Sequence, residues 1–365
     1  PGRVNLIGEH TDYNEGWVLP MAIDRHIWVA FAPRSDAKLR AHSVAFVDTQ
    51  ELTLDDLDAA RGPGWFAYIA GVVWAAQQEG HELRGIDMVI DGDLPVGSGL
   101  SSSAALEMAT LRALCEVSDI PWRPREMARI GQRAENDFVG VSSGLMDQLA
   151  CAVALPGCAL LLDCRNLDTQ DIPMPKQAAI VVMDTGAPRT LAASAYNDRR
   201  QSCERAVEIL RAENPEIHSL RDADQTMLEA ARSQMDDTTY HRALHVIEEN
   251  RRPEALAAAL QSQDLATAGR LMDNSHASLR DLYEVSSHEL NLITELAREH
   301  PACFGARLTG AGFGGSAIAL VEADGAEEFS LEVYRAYHSR VDLASQFFVC
   351  KAAGGARLLD PVTLE

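Results

Sequence analysis

A chain of 365 residues is too long for one ordinary core and suits two domains or one large composite one. Its 47% apolar and 24% charged residues are ordinary globular composition, which excludes a fibrous or largely disordered chain. A net charge of −22 argues against nucleic acid or anionic membrane as a partner.

The longest apolar stretch, Leu149 to Leu162, is broken by Pro156-Gly157 and is too short to span a bilayer. Seven cysteines lie scattered from Cys115 to Cys350, odd in number and without a C-x-x-C pair. That pattern suits reduced thiols in the cytoplasm, not a disulfide framework or a zinc site. The chain opens on Pro1, without a Met and inside a motif, so further residues are expected before it. The lack of a signal-like start therefore weighs little.

The opening segment runs Pro1-Gly2-Arg3-Val4-Asn5-Leu6-Ile7-Gly8-Glu9-His10-Thr11-Asp12-Tyr13-Asn14. Arg3 stands near the start of an apolar, strand-like run, and Glu9, His10, Asp12 and Tyr13 crowd together after Gly8. Such donors and acceptors suit the vicinal hydroxyls of a sugar, although a merely solvated loop has the same polarity. His10 and Asp12 alone are too few for a metal site. Trp17 to Ile23 and Ile27 to Ala32, parted by Asp24-Arg25-His26, read as a hairpin. Gly64 to Gln78 has helical spacing, and Ile86, Met88 and Ile90 alternate with polar neighbours as a strand does.

That strand runs into Pro95-Val96-Gly97-Ser98-Gly99-Leu100-Ser101-Ser102-Ser103-Ala104, which opens an amphipathic helix from about Ser103 to Val117. Glycines let backbone approach a polyphosphate, and the helix N-terminus offers free N–H groups and a positive dipole end. Read blandly, the same serines cap a helix after a flexible turn. The three lysines, Lys38, Lys176 and Lys351, all lie outside this loop, so a Walker-type loop with its lysine is absent. Holding ATP in so acidic a protein would fall to backbone, serine hydroxyls and a metal.

Pro124 opens a helix to about Phe138. Further helices are expected at 145–154, 190–212, 225–235, 239–249, 253–260, 264–273 and 286–299. Strands are expected at 159–164, 179–184, 304–309, 316–321 and 345–351, and disorder only around Asp236 to Thr239. Leu308-Thr309-Gly310-Ala311-Gly312-Phe313-Gly314-Gly315-Ser316 satisfies G-x-G-x-x-G, but Ala317 to Val321 reads as a strand where a dinucleotide fingerprint must open a helix. A glycine turn beside the phosphate loop fits better. Strands crowd the first third and helices the middle without βαβ alternation, an α+β pattern. A boundary near 155–175 divides residues 1–160 from 161–365, with the last strand returning to the first domain.

In this order the three motifs resemble the GHMP kinases, and the first is similar to the galactokinase signature in particular. Glu135 in Arg133-Ala134-Glu135-Asn136, Gly144-Leu145-Met146-Asp147-Gln148, and Ala195-Tyr196-Asn197 followed by Arg199-Arg200 extend the resemblance. Ser142-Ser143 and Leu145 are its mild departures.

The resemblance implies a two-domain fold with composite sheets, the active site in the cleft between them, and phosphorylation of galactose at its C1 hydroxyl by ATP. It assigns the phosphates to Gly97, Ser98, Gly99, Leu100, Ser101, Ser102 and Ser103, and Mg²⁺ to Ser103 and Glu135. It makes Asp147 the base, with Arg3 beside it to stabilise charge on the transferring phosphoryl group. Glu9, His10, Thr11 and Asp12 would bind the sugar, assisted by Gly144 backbone and the Tyr196 hydroxyl. The expected partners are galactose and ATP, with neither nucleic acid nor membrane, in a monomer or weak homodimer. A kinase for N-acetylgalactosamine or arabinose, or a non-catalytic galactose and ATP sensor, are the alternatives.

Overall fold

The computed structural model describes residues 1–141, 143–188 and 192–359. The chain forms an α+β structure with two four-stranded sheets, the first built from strands within residues 27–92 and the second from strands within residues 178–350. In the first, Ile27–Pro33 pairs antiparallel with Ile86–Gly92, which runs parallel to Lys38–Ser43, and Asp48–Thr53 forms the far edge. Ile86, Met88 and Ile90 face the core while Val89 and Asp91 face out, as a period of two requires. Helices Trp65–Gln78, Ser102–Val117 and Pro124–Arg133 supply the apolar residues that this sheet packs against. In the second sheet Ala178–Asp184 lies between Ser316–Glu322 and Gln346–Cys350, with Cys303–Leu308 outermost, all antiparallel.

The sequence-level hairpin does not form. Pro20–Ala22 pairs with Arg3–Asn5, Trp17–Val18 pairs with Cys158–Asp163, and Ile27–Pro33 joins the first sheet. The run from Val18 to Ile23 is buried throughout, whereas Ile27–Pro33 alternates, so the two belong to different layers. Disorder around Asp236 is also overturned: its carboxylate accepts from the Thr239 amide and caps helix Asp237–Glu249. The helix expected at 190–212 is described from Ala192 to Glu213, while Thr190, Leu191 and the departure at Ser142 lie outside the described residues.

The last strand pairs within the second sheet, and the chain beyond it binds the first half through Ala353 N to Ala22 O and Gly355 N to Ala154 O. Helix Pro124–Arg133 continues into a π-helical turn, Ala134–Val139, which ends at Gly140 in the left-handed region. Among the described residues no helix is long and apolar enough to cross a membrane.

Candidate active site

A cavity of about 540 Å³ is lined from both halves of the chain. Three short segments meet there. Strand Arg3–Asn5 delivers Arg3, helix Met146–Val153 delivers Asp147 in its first turn, and the glycine-serine loop delivers the N-terminus of helix Ser102–Val117.

Arg3 is buried and grips Asp147 with two parallel bonds, Nε to Oδ1 at 2.8 Å and Nη2 to Oδ2 at 2.8 Å. Its remaining nitrogen, Nη1, donates to Gly99 O at 2.7 Å, so one guanidinium ties the carboxylate to the loop. Ser101 Oγ donates to Asp147 Oδ2 at 2.6 Å from the other side. The loop can turn this tightly because Gly97, Gly99 and Ser101 all have positive φ, and a Cβ at Gly97 would meet nothing within 4 Å. The Gly310 turn packs behind it: a Cβ on Gly310 would come 3.0 Å from Gly99 O, and Ser316 Oγ donates to Ser98 O at 2.8 Å.

The acids of the first loop stand beside Asp147. Glu9 is buried, and Gly310 N donates to its Oε1 at 2.7 Å while Asn5 Nδ2 donates to Oε2 at 2.9 Å. Burial pushes its carboxyl up, and the fully buried Arg307, 3.4 Å from Oε1, opposes that. Asp12 is also pushed up, to about 7, by burial and then by the charge of Asp147. The His10 ring nitrogens contact Tyr13 Oη at 2.8 Å and Ala311 O at 3.2 Å, and burial lowers its pKa to about 3, so the ring is neutral. The Tyr196 ring packs 5.4 Å from that of His10.

On the loop's other flank Glu135 projects from the π-helical turn. Ser103 Oγ donates to its Oε1 at 3.1 Å, and Ser143 Oγ and Gln148 Nε2 reach Oε2 at 2.6 and 2.8 Å. Burial pushes this carboxyl up, and those hydrogen bonds pull it back. One carboxylate and one hydroxyl make a donor set for a hard cation that brings water and phosphate ligands with it. No cluster of three His, Cys, Asp or Glu able to hold a metal occurs among the described residues. Ile27, Phe46, Trp65, Leu94 and Val96 line an apolar part of the cavity, with the Phe46 and Trp65 rings near parallel at 8° and 6.4 Å apart.

The GHMP kinases N terminal domain family matches residues 67–154 and the GHMP kinases C terminal family matches 256–339. The galactokinase galactose-binding signature matches residues 1–33. A galactokinase of Roseiflexus sp. (strain RS-1) is 45% identical over 361 residues, covering 99% of this chain and 92% of that protein. One from Chloroflexus aurantiacus is 44% identical over 355 residues, covering 97% and 91%.

The chain belongs to the galactokinase family. A Lactococcus lactis galactokinase solved with galactose superposes with a TM-score of 0.94 at 35% identity, covering 98% of this chain and 94% of that one. The Methanococcus jannaschii mevalonate kinase, at 18% identity and a TM-score of 0.69, covers 97% of each chain and shares the fold.

Within this galactokinase-family cavity the structure brings together most of the residues singled out from sequence: Arg3, Glu9, His10, Asp12, Gly97, Gly99, Ser101, Ser102, Ser103, Glu135, Gly144, Asp147 and Tyr196. Three stand apart from its lining. Thr11 is fully buried, and its hydroxyl is bonded to Gly8 O at 2.8 Å and Trp17 O at 2.7 Å, so it shapes the turn. Ser98 Oγ donates to Pro95 O at 2.9 Å, and Leu100 is a core residue whose carbonyl accepts from Arg3 N.

Sequence reasoning passed over the aromatic wall and Arg307. Phe46 and Trp65 carry no local motif: Phe46 sits in the turn between Lys38–Ser43 and Asp48–Thr53, Trp65 opens helix Trp65–Gln78, and only the folded chain brings them together at the cavity. Arg307 did carry a signal: a charge inside the apolar strand Cys303–Leu308 requires a buried partner.

Proposed function

We propose that this protein is a galactokinase, transferring the γ-phosphoryl group of ATP to the C1 hydroxyl of galactose. The observation that carries the reading is the Arg3–Asp147 pair, with its guanidinium bonded to the phosphate loop and its carboxylate open to the cavity beside Glu9 and Asp12. Phosphoryl transfer asks the protein mainly for positioning and charge stabilisation.

In this mechanism the backbone of Gly97 to Ser103 and the positive end of helix Ser102–Val117 hold the phosphates. The adenine would lie against the apolar wall of Phe46 and Trp65. Ser103 and Glu135 would hold Mg²⁺, which when bound neutralises phosphate charge. Asp147 accepts the proton of the C1 hydroxyl, and Arg3 holds that carboxylate in place and faces the transferring group. Glu9 and Asp12 read the sugar hydroxyls; Tyr196 and the Gly144 backbone complete the pocket. Free thiols at all seven cysteines fit a reducing, cytoplasmic setting.

The test is a coupled ADP-release assay with Mg-ATP over a panel of monosaccharides. Galactose should exceed glucose by at least about 10² in kcat/KM, because one misplaced hydroxyl leaves buried acceptors unpaired. Equal turnover of both sugars would sink the specificity, and galactose binding without ADP release would leave a sensor.

A further inference from the structure

We infer that the C-terminal half of helix Asp237–Glu249 positions Glu9 for sugar binding, with Glu249 and His245 as positioning residues; this rests on the galactokinase reading above. Both backbone groups of Glu9 end on that helix. Its N–H donates to Glu249 Oε1 at 3.3 Å, and its C=O lies 3.2 Å from His245 Nε2. A carbonyl only accepts, so Nε2 carries the proton and Nδ1 accepts from Ser278 Oγ at 2.7 Å. His245 and Glu249 are four residues apart on a helix and therefore share one face.

Glu249 is fully buried and uses its whole carboxylate. Oε1 also accepts from Gly8 N at 2.9 Å and Ser275 Oγ at 2.7 Å, while Oε2 accepts from Arg252 Nη1 at 2.6 Å. Burial pushes this carboxyl up, but Arg252 and the other partners outweigh it and hold it at about 2, fully ionised.

The neighbouring residues tighten the same junction. Asn250 Oδ1 accepts from Trp17 N at 2.8 Å. Gly8, with φ +95, leaves so little room that a Cβ would come 2.7 Å from Trp17 O and 3.0 Å from Pro253 Cγ. The segment from His245 to Pro253 thus fastens the sugar-signature loop from the far half of the chain.

Apolar side chains would hold a buried loop at least as strongly as an ion, because a buried carboxylate must first be desolvated. What a charged clamp adds is direction. It fixes the amides of Gly8 and Glu9, and with them the origin from which the Glu9 side chain reaches Asn5, Gly310 and the cavity.

Steady-state kinetics in galactose and in ATP test this. Glu249→Gln keeps the volume, but its amide N–H must face a donor whichever way it turns. Its galactose KM should rise about tenfold or more and its ATP KM stay within about twofold. His245→Gln retains an N–H at the reach of Nε2, whereas the shorter His245→Asn does not. The Asn variant should lose about fivefold or more in galactose KM and the Gln variant recover most of it. The effects of Glu9→Gln and Glu249→Gln should be less than multiplicative in the double variant, because one acts through the other.

An unchanged galactose KM in Glu249→Gln, equal effects of the two His245 variants, or fully multiplicative effects would each overturn the inference. The His245 pair decides alone if Glu249→Gln does not fold. A parent protein without galactose-dependent ADP release would sink the galactokinase reading itself, and the inference with it. An active parent with unresponsive variants sinks only the inference.

Discussion

The carboxylate of Asp12 lies against the α-carbon of Gly144, where a Cβ would overlap Asp12 Oδ2 and come 2.6 Å from its Cγ. The requirement is steric, since Gly144 has no positive φ to demand glycine. Gly144→Ala should push the Asp12 carboxylate from this position further into the cavity, raising the galactose KM by about tenfold or more as a buried sugar hydroxyl loses its acceptor. Thermal stability should barely change, because Asp12 has space to rotate into the cavity. Parent-like galactose kinetics in this variant would show that Asp12 is not held by this contact.

Asp12 also carries a pH signature. Its folded-state pKa of about 7 lies above the ordinary 3.8, so the folded protein prefers the protonated form. The stability it contributes is present in full below the unfolded value and is lost as pH rises through about 7. Asp12→Asn removes that loss. In sugar-free protein, the Tm of the variant minus that of the parent should climb as pH goes from about 5 to about 8. A flat difference across that range would contradict the shifted carboxyl.

Glu135 leads to a metal prediction. Three side chains, Ser103, Ser143 and Gln148, donate to its carboxylate, and Gln148 Nε2 also donates to the buried Glu107 Oε2 at 2.9 Å. Glu107 is fully buried and stands off the cavity lining, where burial and then the charge of Glu135 push its carboxyl well above the usual range, so Glu135, which lines the cavity, is the acid placed for a cation. Glu135→Ala should raise the Mg²⁺ concentration needed for half-maximal activity and lower kcat sharply. Calorimetric ATP binding should lose its Mg²⁺ dependence in the same variant. Full turnover of the parent in excess EDTA, or an unaffected Glu135→Ala enzyme, would refute the role.

Local features of the chain made much of this site legible. Gly97 to Ser103 announces a strand-to-helix loop because glycine conformation and the start of a helix are local properties; the serine cap does not form, since Ser101 at the N-cap makes no capping bond and its Oγ donates to Asp147, and Ser98 and Leu100 face inward. Pairing was not legible. Val18 to Ile23 reads as half of a hairpin to any periodicity argument, and only the long-range match of Arg3–Asn5 with Pro20–Ala22 assigns it elsewhere. The strands Lys38–Ser43 and Asp48–Thr53 escaped because their exposed faces are polar and charged, as in Lys38, Arg40 and Glu51. Thr11 looked like a sugar ligand beside Glu9 and Asp12. A turn hydroxyl with backbone acceptors has the same one-letter pattern.

The pair at the centre of the proposed chemistry yields the most exacting prediction. Asp147→Asn keeps the size of the side chain but removes its charge and its ability to take a proton. If Asp147 is the base, kcat should fall by about 10²–10⁴, the usual worth of positioned proton transfer. Mg-ATP binding should survive, because Asp147 contacts Arg3 and Ser101 and is assigned to no phosphate. Arg3→Lys should also lose much of its activity. Lysine keeps the positive charge but has one nitrogen in place of the planar fork whose three nitrogens separately reach Asp147 Oδ1, Asp147 Oδ2 and Gly99 O. The double variant should lose less than the product of the two single losses, since both residues act on one proton and one phosphoryl group. Steady-state kinetics and calorimetric ATP binding on all three variants decide the matter. An Asp147→Asn enzyme within about tenfold of the parent kcat would leave the base role untenable, and catalysis would rest on positioning by the loop and Arg3 alone.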